Sequence, residues 1–390
     1  MDIVTIALMM LSFIGAVCVC SFAGPIGRGL FLVDHPGGLF GRKRHRAPTP
    51  LVGGFAVIPV SLGAMLFLAA GTPAFAPFAA LAAVTGGMLL LGILDDRLDL
   101  PARPRLLYSA LFIVIAVAVF PEFRMRELVF AFLDAPLEIG AVGGGLLTVI
   151  AILGFQNAVN MADGRNGLVI GLCLVWSLLL LPVAPPVVQQ TLLVLASGLA
   201  AVFAFNIRGK LFLGDSGSYS VSVLLAFLSL YSFNAAPAGL PSSDMLVLFF
   251  WIPTLDTLRL IWMRLARNRT PFQPDRRHLH HFLGDVMPWS AGLALYLGLV
   301  MVPGALALAV PALAAPMLLA STAAYSAVLV LCARKLRSRM RMRFRHSSPQ
   351  AGRLVAFKPE KDVATVRLTP ATPMDRPQSG DDVKTVRKTG

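Results

Sequence analysis

The sequence predicts an all-α polytopic membrane protein with about eleven transmembrane helices. Composition is the first reason, because 56% of the 390 residues are hydrophobic and only 14% are charged, whereas soluble domains carry about 25% charged residues. The second reason is that the apolar residues form stretches of about 20, the length that crosses a bilayer. The third is that nearly all Lys and Arg residues fall in alternate connections between these stretches, as the positive-inside rule requires.

The predicted spans follow one another closely along the chain. They cover 3–24, 51–70, 75–94, 106–120, 141–159, 167–185, 187–205, 217–234, 244–263, 288–310 and 312–333. No basic segment precedes the first one, so we expect a retained span and not a cleaved signal peptide. With the N-terminus periplasmic and the C-terminus cytoplasmic, all Lys and Arg residues except Arg124, Arg126 and Arg259 lie on the cytoplasmic side.

Two regions of different composition divide the chain. Residues 1–333 form the predicted membrane domain, and residues 334–390 form a basic, disordered cytoplasmic tail. We expect the first part of this tail to lie against the anionic headgroups of inner-membrane lipids. The tail and the basic cytoplasmic loops account for the net charge of +14, so this charge does not indicate a nucleic-acid partner.

Four polar clusters interrupt the apolar sequence, and all four fall on the predicted cytoplasmic side. They are Asp95-Asp96-Arg97-Leu98-Asp99, the run from Asn157 to Gly167, Gly214-Asp215-Ser216-Gly217 and His278-Leu279-His280-His281. Carboxylates, amides and histidines gathered on one face of a membrane protein indicate a site for a charged substrate and a metal ion.

The acids and amides of the first three clusters are candidate metal ligands. Asp95, Asp96 and Asp99 lie within five residues and repel one another, and a divalent cation or nearby Arg and Lys would relieve that repulsion. Asn157, Asn160 and Asp163 follow at three-residue intervals on one helical face, and their oxygens suit Mg²⁺. Each cluster taken by itself can also be explained as a solvated helix end or as a helix cap. A cap is the alternative for Asp215.

The histidine cluster and the first cytoplasmic loop are candidate phosphate sites. Three histidines within four residues can bind zinc, but no cysteine is nearby, and the preceding Arg276 and Arg277 favour phosphate recognition. Lys43 and His45 belong to a basic loop that ends in a Pro-Thr-Pro turn and a Gly pair. That turn chemistry indicates more order than a plain positively charged loop needs.

Together these residues predict phosphoryl-group transfer. Asp and Asn would hold Mg²⁺ while Arg, Lys and His bind phosphate, and catalysis would be mostly positioning and charge neutralisation. No P-loop or Rossmann motif occurs, so ATP hydrolysis that drives transport is not expected. Asp256 and Arg259 stand three residues apart inside a predicted span, which indicates an intrahelical ion pair and not a catalytic pair.

With these clusters in this order, the chain resembles the polyprenyl-phosphate N-acetylhexosamine-1-phosphate transferases of glycosyltransferase family 4. The resemblance extends from about residue 30 to about residue 285, and the tail after Arg334 lies outside it. These bacterial membrane enzymes begin the synthesis of O-antigen, common antigen and teichoic-acid linkage units. They are related to the peptidoglycan phospho-MurNAc-pentapeptide translocase and to the eukaryotic dolichyl-phosphate GlcNAc-phosphotransferase.

The resemblance implies a reaction and its partners. The enzyme would transfer N-acetylhexosamine-1-phosphate, with GlcNAc-1-phosphate as the default, from a UDP-sugar to undecaprenyl phosphate. The products would be undecaprenyl-pyrophosphoryl-HexNAc and UMP, and the cofactor would be Mg²⁺ or Mn²⁺. The protein would be a multi-pass protein of the bacterial inner membrane with its active site on the cytoplasmic face. A homodimer is left open.

The resemblance also implies roles for the site residues. Asp95, Asp96 and Asp215 would be catalytic, with Asp95 or Asp96 taking a proton from the lipid phosphate or helping to place the metal. Asn160 and Asp215 would bind the metal. The substrate-binding residues would be Lys43, His45, Asn157, Asp163, Asn166, Arg276, Arg277, His278, His280 and His281. Direct attack on the β-phosphorus is the expected route, and a two-step route through an aspartyl phosphate is the alternative.

The chain departs from the family pattern at two places. Asn166 stands where many bacterial relatives have a second Asp, and it keeps an acceptor while adding a donor. Arg208-Gly209-Lys210 stands where Pro-Ala-Lys is common.

Two other interpretations of the function remain. A phospho-MurNAc-pentapeptide translocase-like enzyme is disfavoured by the Pro-Asp-Arg segment before the histidines. A secondary transporter would place its polar groups near the bilayer midplane, often in repeated halves.

Overall fold

The structure is a computed structural model that describes residues 2–36, 47–235, 242–270 and 276–346. Its helices are α1 (Ile3–Ser21), α2 (Ala23–Gly29), α3 (Gly53–Ala69), α4 (Phe75–Leu98), α5 (Ala102–Val119), α6 (Gly140–Ala162), α7 (Leu168–Leu180), α8 (Pro186–Asn206), α9 (Gly214–Asn234), α10 (Ser243–Leu265), α11 (Leu279–Val286), α12 (Trp289–Ala309) and α13 (Ala314–His346). Two antiparallel pairs of two-residue strands join β1 (Val33–Asp34) to β2 (Thr49–Pro50) and β3 (Glu127–Leu128) to β4 (Leu137–Glu138).

The architecture confirms the predicted class, a helical multi-pass membrane protein. Among the described residues, nine helices are long and apolar enough to cross a membrane. The second and sixth predicted spans correspond to shorter apolar segments, Gly53–Ala69 and Leu168–Val183. The second starts late because the chain is still extended in β2 at Thr49–Pro50. The sixth ends early because Pro182 enters a 3-10 turn, and proline lacks the N–H that an α-helix needs.

Helix α9 is the most deeply buried element of the membrane domain among the described helices. It packs against α3, α4, α6, α7 and α10. Four of its buried serines donate their hydroxyls to the carbonyl four residues earlier, at Ser220, Ser222, Ser229 and Ser232. Because these hydroxyls are satisfied within their own helix, they do not need water or an outside partner.

Two glycines let neighbouring helices touch the backbone of α9 at its first turn. A Cβ atom added at Gly92 of α4 would lie 2.3 Å from the Ser216 Cα, and one added at Gly54 of α3 would lie 2.4 Å from the Gly217 Cα. Only glycine permits such approaches, and small residues serve the same purpose in other membrane helix pairs. Helices α3 and α4 therefore converge on the turn that carries Asp215.

The last helix is longer than the sequence predicted. Helix α13 runs from Ala314 to His346, so the prediction of disorder from residue 334 was wrong for the first part of the tail. Arg, Lys, Leu and Met dominate this stretch and are good helix formers, which explains why the helix continues. Residues Met1–Met340 form one compact unit. The expected disorder of residues 347–390 falls outside the described residues.

Candidate active site

The two adjacent acids at the end of α4 have different surroundings. Asp95 is buried, and its carboxylate accepts hydrogen bonds from Arg105 Nη1 at 2.8 Å, Tyr219 Oη at 2.6 Å and Leu100 N at 2.9 Å. Neighbouring residues on a helix point about 100° apart, so the next acid faces another part of the molecule. Asp95 thus joins α4 to α5 and α9.

Asp96 faces the first turn of α9. Its carboxylate accepts hydrogen bonds from the backbone N–H groups of Asp215 at 2.9 Å and Ser216 at 3.1 Å. These amides belong to a helix N-terminus, where N–H groups lack partners within the helix and a negative charge is stabilised. Asp96 therefore fixes the turn that carries Asp215.

Asn160 connects the end of α6 to the same turn. Its Nδ2 donates to Asp215 Oδ1 at 2.6 Å and to Ser218 Oγ at 3.1 Å, so its Oδ1 is the atom that could bind a cation. Asn157 behaves differently, because its Nδ2 donates to the Leu153 carbonyl of its own helix at 2.7 Å. Of the two amides predicted to share one helical face, Asn160 contacts Asp215 and Asn157 does not.

Asp163 follows α6 and contributes a half-buried carboxylate to the same region. Burial raises its pKa to about 7, and the nearby charge of Asp96 adds to this effect. An acid with this pKa exchanges a proton readily near neutral pH. A bound cation would favour its charged form and lower that pKa.

The loop after Asp163 is held by two other elements. The Gly167 N–H donates to the Asn206 side chain at the end of α8, and Trp289 Nε1 of α12 donates to the Asn166 carbonyl at 2.7 Å. Gly167 has a φ of +82°, a backbone conformation that glycine adopts without strain. These contacts fix the backbone on either side of the Asn166 side chain.

The histidine cluster forms the start of α11 and lies against this loop. A Cβ atom added at Gly164 would lie 2.6 Å from His280 Nε2, so the two segments are in direct contact. Burial lowers the pKa of His280 well below its usual range, and the neighbouring His281 adds to the shift. His280 is therefore neutral at neutral pH. His278 instead directs its Nδ1 to Asp256 of α10, at 2.9 Å.

Arg165 joins the same loop to α11 and α12. Its guanidinium lies over the Trp289 ring, 5.1 Å from the ring centroid, and its Nη2 lies 3.7 Å from Asp285 Oδ1. A Cβ atom added at Gly284 would lie 2.1 Å from the Arg165 Cζ, so the guanidinium packs on the bare backbone of α11. Arg165 thus braces the loop against the helix that carries the histidines.

These segments enclose a cavity of about 530 Å³, within the range of about 300–1,000 Å³ typical of small-molecule sites. Seven of the predicted site residues line it, namely Asp96, Asn160, Asp163, Asn166, Asp215, Arg276 and His281. Five others are not in its wall, namely Asp95, Asn157, Arg277, His278 and His280. Lys43 and His45 lie outside the described residues. The roles of all these residues remain predictions.

Nine further residues line the cavity. Gly164, Arg165 and Gly214 lie within the polar clusters predicted from the sequence, whereas Asp34, Leu51, Asn206, Gly209, Phe212 and Trp289 lie outside them. They come from segments far apart in the chain, which no spacing rule connects. Asp34 could have been found, because it is an acid beside the basic first loop. Asn206 and Trp289 give no signal, since a polar helix end and an aromatic helix start are common.

The donor atoms of the cavity suit a hard divalent cation. Over the described ranges, no group of three or more His, Cys, Asp or Glu side chains is placed to hold a metal ion by itself. Mg²⁺ does not need such a group, because it keeps several waters and is bound by one or two carboxylates together with substrate phosphates. Zinc, which takes three or four protein ligands, fits this arrangement less well.

Comparison with known proteins places the chain among membrane transferases. The family model for glycosyl transferase family 4 matches residues 77–233. The chain is 30% identical over 264 residues to the undecaprenyl-phosphate alpha-N-acetylglucosaminyl 1-phosphate transferase of Yersinia pestis, covering 65% of this chain and 69% of that protein. It is 27% identical over 307 residues to the Escherichia coli K12 protein of the same name, covering 73% and 77%. A Bacillus subtilis 168 protein named probable undecaprenyl-phosphate N-acetylglucosaminyl 1-phosphate transferase is 31% identical over 261 residues, covering 64% and 69%.

Proposed function

Because this chain belongs to glycosyl transferase family 4, we propose that it transfers N-acetylglucosamine-1-phosphate from UDP-GlcNAc to undecaprenyl phosphate. The names of its relatives support this activity. The observation that carries the proposal is the cavity, whose wall combines the carboxylates of Asp96, Asp163 and Asp215 with the side chains of Arg276 and His281. In phosphoryl transfer, carboxylates hold the metal ion that neutralises the phosphates, and basic side chains bind the phosphate oxygens.

The reaction takes place at the cytoplasmic face of the bacterial inner membrane. In the proposed arrangement eleven of the described helices cross the bilayer, with a periplasmic N-terminus and a cytoplasmic C-terminus. They are α1, α3 to α10, α12 and α13. The distribution of Lys and Arg supports this orientation. The ends of α4, α6 and α8 and the start of α9 then meet at the cytoplasmic surface, where UDP-sugars are available.

Asp96 is the better candidate for the base of the two adjacent acids. It lines the cavity, whereas Asp95 is already bonded to Arg105 and Tyr219. In the proposed step Asp96 takes the proton of the lipid phosphate, and the phosphate oxygen attacks the β-phosphorus of UDP-GlcNAc. The bond from that phosphorus to the bridging oxygen breaks, and UMP leaves with the electron pair. Asp95 keeps the end of α4 in place.

Mg²⁺ is the proposed cofactor, held by Asp215 and by the side-chain oxygen of Asn160. When bound, it would neutralise negative charge on the diphosphate and on the departing UMP. Arg276 binds a phosphate oxygen through charge-assisted hydrogen bonds. His281 contributes a further polar group to the same wall, and the neutral His280 packs behind it on Gly164.

The first test is turnover by the purified protein in detergent with undecaprenyl phosphate, Mg²⁺ and a panel of UDP-sugars. We expect release of UMP and formation of a lipid-linked sugar with UDP-GlcNAc, and much slower release with UDP-glucose. EDTA should stop the reaction, and added Mg²⁺ or Mn²⁺ should restore it. Turnover that persists in EDTA would contradict the metal assignment, and the absence of turnover with every donor from monodisperse protein would contradict the function.

Replacement Gly284→Ala should weaken binding of the nucleotide sugar. The added methyl group would displace the Arg165 guanidinium, which is the end of a flexible side chain, so the protein should still fold. We expect KM for UDP-GlcNAc to rise about three- to tenfold, the effect of losing one or two modest polar contacts. Gly298→Ala in α12 is the matched control, because a Cβ atom there meets nothing within 4 Å. Equal KM values in the two variants would refute the bracing role.

A further inference from the structure

A buried carboxylate in α10 accepts four hydrogen bonds from three parts of the chain. Asp256 is 2% exposed. Its Oδ1 accepts from Tyr325 Oη at 2.5 Å and from Arg259 Nη2 at 2.8 Å, and its Oδ2 accepts from His278 Nδ1 at 2.9 Å and from Leu279 N at 3.1 Å. The ion pair predicted between Asp256 and Arg259 is confirmed, but it belongs to a larger network.

Two of these bonds fix the start of the histidine helix. His278 is the residue that precedes α11, and Leu279 is its first residue. The Asp256 carboxylate satisfies an amide that has no partner within the helix and holds the His278 ring by its Nδ1 atom. Because the carboxylate can only accept, this bond sets the tautomer of His278 as well as its orientation.

The His278 ring is linked to the cavity wall by a row of three histidine rings in contact. The His278 and His280 rings are nearly parallel, with an interplanar angle of 12° and centroids 5.5 Å apart. The centroids of His280 and His281 are 4.2 Å apart, and His281 lines the cavity. A rotation of the first ring would therefore disturb the two that follow.

The other two bonds to the Asp256 carboxylate come from Tyr325 in the last helix and from Arg259, which also bonds the chain just before α11. Tyr325 of α13 donates to Asp256 and accepts from Arg259 Nε at 2.7 Å. Arg259 also donates to the Arg277 carbonyl at 2.6 Å. Arg339 of α13 donates to the Asp285 carbonyl at 3.0 Å, so α13 contacts the end of α11 directly and is linked to its start through Asp256, although it does not line the cavity.

Charged groups inside a membrane helix are costly and therefore indicate a function. A buried ion pair is also weak as a source of stability, because removing two charges from water offsets most of their attraction. Two apolar side chains would join α10 to α13 at lower cost. Two of the four bonds to Asp256 come from the start of α11, and Arg259 also bonds the Arg277 carbonyl just before it. This geometry favours orientation of the histidines over simple helix packing.

We propose that Asp256, Arg259 and Tyr325 are positioning residues. They hold the histidine cluster at the start of α11 in the arrangement needed for transfer of the sugar phosphate. The inference rests on the proposed function and extends it, because it assigns a role in the reaction to α13. That helix lies beyond residues 77–233, which the family model matches.

A double-mutant cycle tests whether these residues act through His278. We expect Asp256→Asn to lower kcat about 10- to 100-fold, as loss of a partner behind a functional histidine does. Tyr325→Phe should lower it about three- to tenfold. In a His278→Ala background neither change should lower kcat further, because residues that act as one unit are not additive. Effects that multiply in the double variants would overturn the proposal.

The control for Tyr325→Phe is Thr322→Val, one helical turn earlier in α13. It removes another hydrogen bond between α13 and α10, from Trp251 Nε1 to Thr322 Oγ1 at 2.7 Å, which does not reach α11. We expect kcat and KM of this variant to match those of the wild type. A loss equal to that of Tyr325→Phe would mean that any weakening of the α10–α13 contact is harmful, and would overturn the proposal.

Hydrogen–deuterium exchange of the full-length protein separates this inference from the proposed function, since it needs no substrate. Amides of α11 should exchange faster in Asp256→Asn and Tyr325→Phe than in the wild type or in Thr322→Val. If the wild type shows no transfer, faster exchange still supports the network, and the function alone fails. Unchanged exchange in both variants would overturn the positioning role whatever the activity.

Discussion

The Asp215→Asn variant is expected to lose on the order of 10³-fold in kcat, the loss typical of removing one essential charge-stabilising group. The substitution keeps the size of the side chain, and an amide oxygen can still accept the hydrogen bond that Asn160 Nδ2 now donates at 2.6 Å. What disappears is the negative charge that the proposed cation requires. The measurement is the initial rate of UMP release in detergent at saturating substrates.

Folding of this variant should be unimpaired, which distinguishes a functional acid from a structural one. Asp96 bonds the backbone N–H of Asp215, so two carboxylates lie close together, and removing one charge relieves repulsion between them. We expect thermal unfolding of the metal-free protein at the wild-type temperature or above. Asp99→Asn is the matched control, because Asp99 is an exposed residue at the end of α4 with a φ of +50° that asparagine also tolerates. Activity above a tenth of the wild-type value in Asp215→Asn would contradict the assignment.

The Gly92→Ala variant should be both unstable and inactive. Its new methyl group would lie 2.3 Å from the Ser216 Cα, 2.4 Å from the Ser216 N and 2.6 Å from the Asp215 carbonyl carbon. All three atoms are backbone, so α4 must move away from α9, which we expect to cost about 3 kcal/mol, at the upper end for overpacked sites. The movement would also break the hydrogen bonds from Asp96 to the first turn of α9.

Gly86→Ala provides the control in the same helix. A Cβ atom at Gly86 meets nothing within 4 Å, and alanine is favoured over glycine in a helix. We expect this variant to unfold at the wild-type temperature or higher and to keep full activity. Thermal unfolding followed by tryptophan fluorescence, together with UMP release, measures both effects. Equal behaviour of the two variants would show that the close approach of α4 to α9 is not what orders the site.

The fold class was predictable because lipid imposes a simple rule. Every backbone polar group in the bilayer must be satisfied within the chain, so long apolar segments become helices. Helix ends were less predictable where proline or a preceding strand intervened, as at Pro182 and at Thr49–Pro50. The continuation of α13 to His346 was missed because a change in composition was taken as a change in structure.

The site was predictable in its ingredients and less so in its geometry. Asp96, Asn160 and Asp215 belong to conspicuous polar clusters at helix ends, and the structure brings them together. The sequence could not show that Asp95 bonds Arg105 and Tyr219. Asp95 and Asp96 are the same residue type on the same helix, and they differ in the neighbouring helices that each one faces. Contacts that cross between distant segments carry no pattern in the sequence.

The network around Asp256 illustrates the same limit. Its spacing to Arg259 predicted one ion pair, which the structure contains. The bonds to His278 and Tyr325 join residues 22 and 69 positions away, and only the packing of α10 against α11 and α13 brings them together. A residue that positions others is therefore harder to find from sequence than one that touches substrate.

The most direct test of the proposed function follows the two phosphorus atoms of UDP-GlcNAc. Purified protein in undecaprenyl phosphate proteoliposomes would receive donor labelled with ³²P at either the α- or the β-phosphate. Transfer of N-acetylglucosamine-1-phosphate predicts that the β-label enters the lipid fraction together with the sugar, while the α-label remains in UMP. Sugar in the lipid with both labels in UDP, or no label in the lipid from either donor, would contradict it.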